Sequence, residues 1–497
     1  MKRSPTVLLL ALFLTVNLCS QASIPLVYDA SLTREPSWSA PYQGGHGGNS
    51  GYVSRWDLSS LPSGRLEYWI NPTFPDGKTP FASEQELIRI VQEAFAIWAA
   101  IPTCAMSFQY MGTTEASDTL DGKNVVTFCP NFSSFSSTGS GVNPIIRRAR
   151  CAETIALPDG ESIQAAFAGQ IFDMDIVINP DGKFVLDNRD DIPYGETWLK
   201  GTLIHEIGHG LGLGHSGIGW SVMYGYSRMG RGRYRDTLSQ DDIIALSTLY
   251  PTSSFHASHG ALRGTVIGAD GNPVFGAHVV ALDPAGCAIA STMTGLQSEA
   301  GGIPASYGNT SGDFLLYLPA GTYTLLVEPI PVSNSWSAYF SGIFGDARGS
   351  TSTDTNFAPQ LTSSTVSVQA GDATTVPTIS VNSRNTSAPV LDRRSFSVWD
   401  YGTEAYRSPA WASCGEGDIT ISIPIGYRIV SGGKLASGIT LRFLGDGIRI
   451  KSTSVSSSGQ YLFIYASVGS SATKGLRVLE VRSPQGTAYF PGALKIQ

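Results

Sequence analysis

The chain has 497 residues, of which 42% are hydrophobic and 15% charged, with a net charge of −7. That length allows two to four domains, each large enough to bury a core. The acidic balance argues against nucleic acid or an anionic membrane surface as partner, and sparse charge beside 55 glycines suits an exported, β-rich protein.

Lys2 and Arg3 precede an apolar run over 7–16, and Ser20-Gln21-Ala22 offers a small-x-small cleavage site. The pattern predicts a secretory signal peptide over 1–22 and a secreted, extracellular product. The apolar run is too short for a membrane span, and no later stretch is long enough to supply one. Leu18 is large where a lipobox before Cys19 needs a small residue. Residues 23–54, with Gly44, Gly45, Gly47 and Gly48 around His46, have the composition of a flexible leader.

A first strand is expected over 66–70. A helix follows over 83–101: Ser83 and Glu86 have capping-box spacing, Leu87, Ile90, Val91, Ala94, Trp98 and Ile101 share one face, and Pro102 stops it. Further strands are expected over 106–111, 124–128 and 171–178. Five cysteines lie beyond the signal: Cys104, Cys129, Cys151, Cys287 and Cys414. Export permits disulfides. Cys129 and Cys151 flank a Ser/Gly-rich insertion and form the preferred pair, with Cys104 as rival partner, and one thiol is left over.

The stretch from Leu199 to Ser216 carries the chemistry. His205 and His209 are four apart, so a helix stacks them on one face where both reach a single metal. Leu199, Leu203, Ile207 and Leu211 hold another face against a core. Gly212 accepts the positive φ of a sharp turn, which returns His215 as a third nitrogen ligand. Three histidines leave a tetrahedral position open, the pattern of a catalytic Zn2+ rather than a closed structural one. Glu206, beside the first ligand, is placed to take a proton from water and pass it to a leaving amine.

Together His205, Glu206, His209, Gly212 and His215 make the H-E-x-x-H-x-x-G-x-x-H pattern of metzincins. Ser216 after the last histidine resembles the matrixin branch, as do 238–243 and Leu249-Tyr250. The resemblance implies a matrixin-like zinc metalloprotease domain over 55–255, α+β in class, with a mixed five-stranded sheet and three helices. It also implies that Met223 supports the site from below. Asp173-Met174-Asp175 resembles the edge strand that pairs with extended substrate. Tyr226 matches a tyrosine of the substrate pocket, although Gly225 departs from the family pattern, and an arginine cluster follows at 228–235. No histidine lies between Cys129 and His205, so the usual second, histidine-bound zinc is not expected. Asp181, Asp187, Asp190 and Asp191 are candidate Ca2+ ligands, but their spacing matches no calcium loop.

Beyond a joint at 252–260, strands alternate around the Asp270-Gly271-Asn272-Pro273 turn. With residues 312–325 they resemble a carboxypeptidase-regulatory-like, transthyretin-like β-sandwich over 261–381. After a linker, short alternating runs over 418–423, 439–443, 448–453, 461–466 and 475–482 resemble an Ig/IPT-like β-sandwich at 390–497. Trp399, Tyr401, Tyr406 and Trp411 are expected to serve mostly in packing.

The reading is a secreted zinc-dependent endopeptidase that hydrolyses peptide bonds in protein or peptide substrates. His205, His209 and His215 bind the metal, and Glu206 is general base and then acid. The two sandwiches space or dock it, with an extracellular-matrix or cell-surface ligand as their candidate partner. Two other readings stand beside it: a surface or matrix adhesion protein with a secondary or inactive protease domain, and a zinc hydrolase of non-peptide amides. Residues 23–103 hold no cysteine to cap the metal, so latency through a thiol is not expected; His46 and Asp29 are the alternative caps. A chain ending near Ser254 is expected to suffice for small peptides, because every proposed ligand precedes it.

Overall fold

The structure is a computed structural model that describes residues 27–29, 51–74, 81, 83–130, 141–149, 152–187, 192, 196–224, 236–295, 312–329, 356–391, 393, 396–401 and 405–497, except 168, 408, 425–428 and 432–433. The expected signal peptide, His46, Cys151 and Tyr226 lie outside the described residues. At the two ends of the expected leader, Val27–Asp29 and Gly51–Val53 pair antiparallel. The architecture is mostly β, with few helices.

The N-terminal region is built on a mixed sheet of six strands, where five were expected. Leu66–Ile70 pairs in parallel with Phe108–Thr113 and with Asn124–Phe128, and the latter pairs in parallel with Gln170–Ile178. The sixth strand is the two-residue Arg55–Trp56, parallel to the start of Gln170–Ile178. Such a short strand carries no period that a sequence reading can detect.

A second correction concerns the edge. Gln170–Ile178, which carries Asp173 and Asp175, is an interior strand, because Val142–Arg148 pairs antiparallel along it from Val142↔Ile178 to Arg148↔Ile171. Among the described residues Val142–Arg148 pairs with that strand alone. Pro144 lacks an N–H and suits an edge position. Arg147 explains the inversion. Its guanidinium pairs with Asp173 and, at 2.7 Å, with Asp175, and it donates to the Asp118 carbonyl. Burial pushes both carboxyls up, and for Asp175 the neighbouring Asp173 adds to it. The buried Arg147 guanidinium offsets the cost of burying two carboxyls on one strand.

Helix α1 (Glu84–Ala99) starts at Ser83, whose hydroxyl accepts from the Glu86 N–H. It buries Leu87, Ile90, Val91, Ala94, Phe95 and Trp98, each large side chain contributing about 1.5–3 kcal/mol. Helices α2 (Leu199–Gly210), α3 (Gln240–Leu249) and the short α4 (Ser253–Ser258) follow. Buried Cys104 is not in a disulfide; its Sγ lies 3.9 Å from the Leu246 carbonyl, and burial pushes the thiol up to about 12.

Two sandwich-like units follow. In the first, His259–Ile267 pairs with Asp313–Pro319 on one sheet, and His278–Leu282 pairs with Ala288–Met293 and Gly321–Glu328 on the other. In the second, five strands centred on Gly417–Pro424 and Tyr461–Val468 face four that include Gly475–Ser483 and Gly486–Ile496. Trp399 is half-buried and pairs across strands with Tyr406, whereas Tyr401 is exposed. One continuous apolar cluster runs from Trp98, Leu203 and Met223 to Val398, Phe490 and Leu494. Glu328, His278 and Arg393 form a buried polar junction between the two units.

Candidate metal centre

Helix α2 is buried on nearly every side, so its backbone ends need partners inside the protein. Two aromatic donors supply them at its C-terminal end, and a third adds a bond to a mid-helix carbonyl. The Trp56 indole donates to the Gly210 carbonyl at 3.0 Å, the Tyr250 hydroxyl to the Leu211 carbonyl at 2.7 Å, and the Trp98 indole to the Ile204 carbonyl at 2.8 Å. Burial pushes the Tyr250 phenol up, which keeps it a neutral donor. Gly212, at φ +98°, turns the chain out of the helix, and a Cβ there would lie 2.3 Å from the Ser54 carbonyl oxygen.

The three histidines converge. Their Nε2 atoms lie 3.1 Å (His205–His209), 3.2 Å (His205–His215) and 3.2 Å (His209–His215) apart. His205 Nδ1 sits 2.7 Å from the Val222 carbonyl and His209 Nδ1 2.8 Å from the Leu213 carbonyl. A carbonyl accepts only, so those Nδ1 atoms donate and each Nε2 turns its lone pair inward. Lone pairs packed this closely repel unless a cation lies between them. Tetrahedral bonds of about 2.0–2.1 Å to zinc place two nitrogens roughly 3.3 Å apart. The donor set therefore fits zinc. Among the described residues, these histidines form the one group of three or more potential ligands close enough to share an ion. Asp181 and Asp187 join no such group, and Asp190 and Asp191 lie outside the described residues.

Glu206 is buried on α2, about 100° round the helix from His205 and roughly 60° from His209. Met223 is fully buried and packs against α2 at Gly208. A Cβ on Gly208 would meet the Met223 sulfur at 2.4 Å, so glycine makes room for the thioether between the two helical ligands. Tyr226 and the arginine cluster lie outside the described residues, and no pocket is assigned to them.

The loop from Ser216 to Tyr224 is held by two residues to which the sequence reading gave no role. Asp241 accepts from the Ser216 hydroxyl at 2.6 Å and from the Ser291 N–H, on the following unit, at 2.7 Å. Asp242 accepts from the Val222 N–H at 2.9 Å, the Met223 N–H at 3.1 Å and the Ser221 hydroxyl. It also closes a capping box with Ser239 at the start of α3. Ser239 and Asp242 stand at capping-box spacing, which was the available signal; their second task across the loop has no local signature.

Residues 157–251 match the family model described as Matrixin, which supports a matrixin-type, zinc-metallopeptidase-like domain. No curated protein matches the chain. Among solved structures, the chain is similar over 48% of its length to the Bacillus anthracis TIE protein, covering 50% of that chain at 10% identity and a TM-score of 0.15. It is similar over 46% to BcpA, the major pilin subunit of Bacillus cereus, covering 66% of that chain at 9% identity and a TM-score of 0.12. A streptococcal ancillary pilin is matched over 50% of this chain and 62% of that one, at 9% identity and a TM-score of 0.14. The chain thus spans half the length of the first of these structures. Scores this low make no statement about shared function.

Proposed function

We propose that this protein is a secreted, zinc-dependent endopeptidase. The observation that carries the reading is the approach of three histidine Nε2 atoms to 3.1–3.2 Å, with two of the rings oriented by backbone carbonyls. His205, His209 and His215 are the ligands. Zinc bound there supplies a Lewis acid for the scissile carbonyl and lowers the pKa of water.

The chain's own residues supply the rest. Glu206, at the flank of the ligand face, takes a proton from the attacking water and returns it to the leaving amine nitrogen. Its burial keeps bulk water from competing for that proton. Extended substrate adds to the outer side of Val142–Arg148, the strand left with one partner among the described residues, through main-chain hydrogen bonds. Secretion rests on the N-terminal pattern.

The test is incubation of the full chain with a mixed peptide library, with and without a chelator, followed by zinc add-back. Cleavage that stops with chelator and returns with zinc is the expected result. Zinc uptake without cleavage of any peptide overturns the peptidase assignment and leaves the adhesion and non-peptide amide readings. Cleavage insensitive to chelator removes the metal from the mechanism.

A further inference from the structure

We infer that the C-terminal sandwich is a positioning element of the metal centre, acting through Ile218, Gly219 and Trp220. The inference rests on the metal-site reading above and opposes the expectation that the chain up to Ser254 suffices.

The loop that follows His215 closes on itself. The Ser216 N–H donates to the Met223 carbonyl at 2.6 Å, and Ser216 bridges Tyr224. Its base therefore orients two ligands: His215 precedes it directly, and its Val222 carbonyl holds His205 Nδ1. Its tip points away from α2 and into the C-terminal half. Ile218 is fully buried in a cluster with Val280, Leu282 and Leu326 of the middle unit and Val478 and Tyr489 of the last. The Gly219 N–H donates to the Pro491 carbonyl at 2.9 Å. The Trp220 indole donates to the Ala410 carbonyl at 2.8 Å, with the Lys495 ammonium 4.8 Å from its ring centroid. The Tyr224 hydroxyl donates to the Arg393 carbonyl at 2.8 Å.

Two features mark this as a fitted joint. Trp220 has φ +73°, a left-handed conformation that a bulky residue keeps only where its surroundings over-determine it. Gly492, at φ +74°, meets Gly219 backbone to backbone, and a Cβ on Gly492 would lie 2.1 Å from the Gly219 carbonyl oxygen. The Gly219–Gly492 approach and the Lys495 ammonium over Trp220 both come from the strand Gly486–Ile496, and the Ala410 carbonyl lies in the same sandwich. The groups that aim His205 and present His215 are thus anchored by hydrogen bonds to residues 169 and 190 positions further along the chain, and by the bond to Pro491 beyond them. Groups that orient metal ligands typically change affinity about 10–100-fold when lost.

The experiment measures zinc affinity of the full chain by competition with a chromophoric chelator, beside the thermal transition of the metal-free protein. Trp220→Gly keeps the backbone conformation easy and removes the indole anchor. Gly492→Ala obstructs the joint from the other side, and Tyr465→Ala, on the other sheet of the same sandwich, is the control. Zinc affinity is expected to fall roughly 10–100-fold in Trp220→Gly and Gly492→Ala, with the metal-free transition retained, and to stay at the wild-type value in the control. Trp220→Gly leaves the joint its backbone room, so it decides the matter if Gly492→Ala does not fold. Wild-type affinity in a folded Trp220→Gly overturns the inference while leaving the metal site intact. Failure of the wild-type chain to take up zinc overturns the site and the inference together. Zinc uptake without peptide cleavage sinks only the peptidase reading.

Discussion

Helix α2 and the loop from Gly212 to Tyr224 both serve the same three nitrogens, yet different parts of the molecule hold them. The helix is fixed by its own region: Trp56, Trp98 and Tyr250 donate to its carbonyls, and Leu199, Leu203 and Ile207 pack into the core behind it. The loop is fixed by three regions. Asp241 and Asp242 hold its base, the middle unit touches Ile218, and the last sandwich holds Gly219 through Pro491 and Trp220 through Ala410. A helix satisfies most of its backbone internally and needs partners only at its ends. An irregular loop satisfies fewer of its own polar groups than a helix does, so burying one demands further donors and acceptors from elsewhere.

The largest expected effect tests the helix. Glu206→Ala removes the proton carrier and keeps every ligand, so peptide cleavage should fall about 10²–10⁴-fold with zinc content unchanged by elemental analysis. His209→Ala should lose the zinc as well. If Glu206→Ala cleaves like the wild type, the proton is handled elsewhere.

Next comes the loop base. Asp242→Ala leaves the Val222, Met223 and Ser239 N–H groups without their buried acceptor, a loss of about 3 kcal/mol or more. A lower urea midpoint together with weaker zinc binding is expected. Loss of stability with full zinc affinity would show that the loop orients His205 without this carboxylate.

Trp98→Phe sharpens the contrast from the helix side. It removes one hydrogen bond to the Ile204 carbonyl and leaves a cavity where the larger, fully buried indole sat, together costing about 1–3 kcal/mol. Zinc affinity should hold, because α2 keeps its own ladder. A tenfold fall in affinity would erase the distinction between the two elements.

The smallest effect is pH dependence at the junction between the sandwiches. Burial raises the Glu328 carboxyl, but Arg393 and His278 outweigh it and hold the group below the ordinary glutamate value. The sign follows from the depressed value. The stabilisation is complete above the unfolded value of about 4.3 and is lost as pH falls through the lower folded value. Unfolding midpoints measured from pH 6 down to 3 should decline more steeply in wild type than in Glu328→Gln. Parallel slopes would mean the junction carries no such linkage.

Much of the framework was legible because it is local. The strands Leu66–Ile70 and Asn124–Phe128 fall where alternation placed them, and α1 begins one residue after its expected cap. The 11-residue strand Gly486–Ile496 was missed; Pro491 and Gly492 interrupt its period at the very residues that meet the metal loop. Val142–Arg148 was missed for a related reason, since Pro144, Arg147 and Arg148 spoil the apolar alternation that a buried partner would require.

By itself the sequence determined the ligand geometry. Histidines four apart on a helix and a glycine turn bring three imidazoles together through the chain's own bond geometry. Tertiary structure alone decided what holds them there. Asp241 and Asp242 look like ordinary helix-start residues, and Ile218 and Trp220 like ordinary loop residues, until the partners supplied by Ser291, Ala410 and Pro491 are known. Spacing along a chain encodes contacts within a turn of helix or across a hairpin. A hydrogen bond spanning 190 residues leaves no such period, and exists only once separate cores have packed into one.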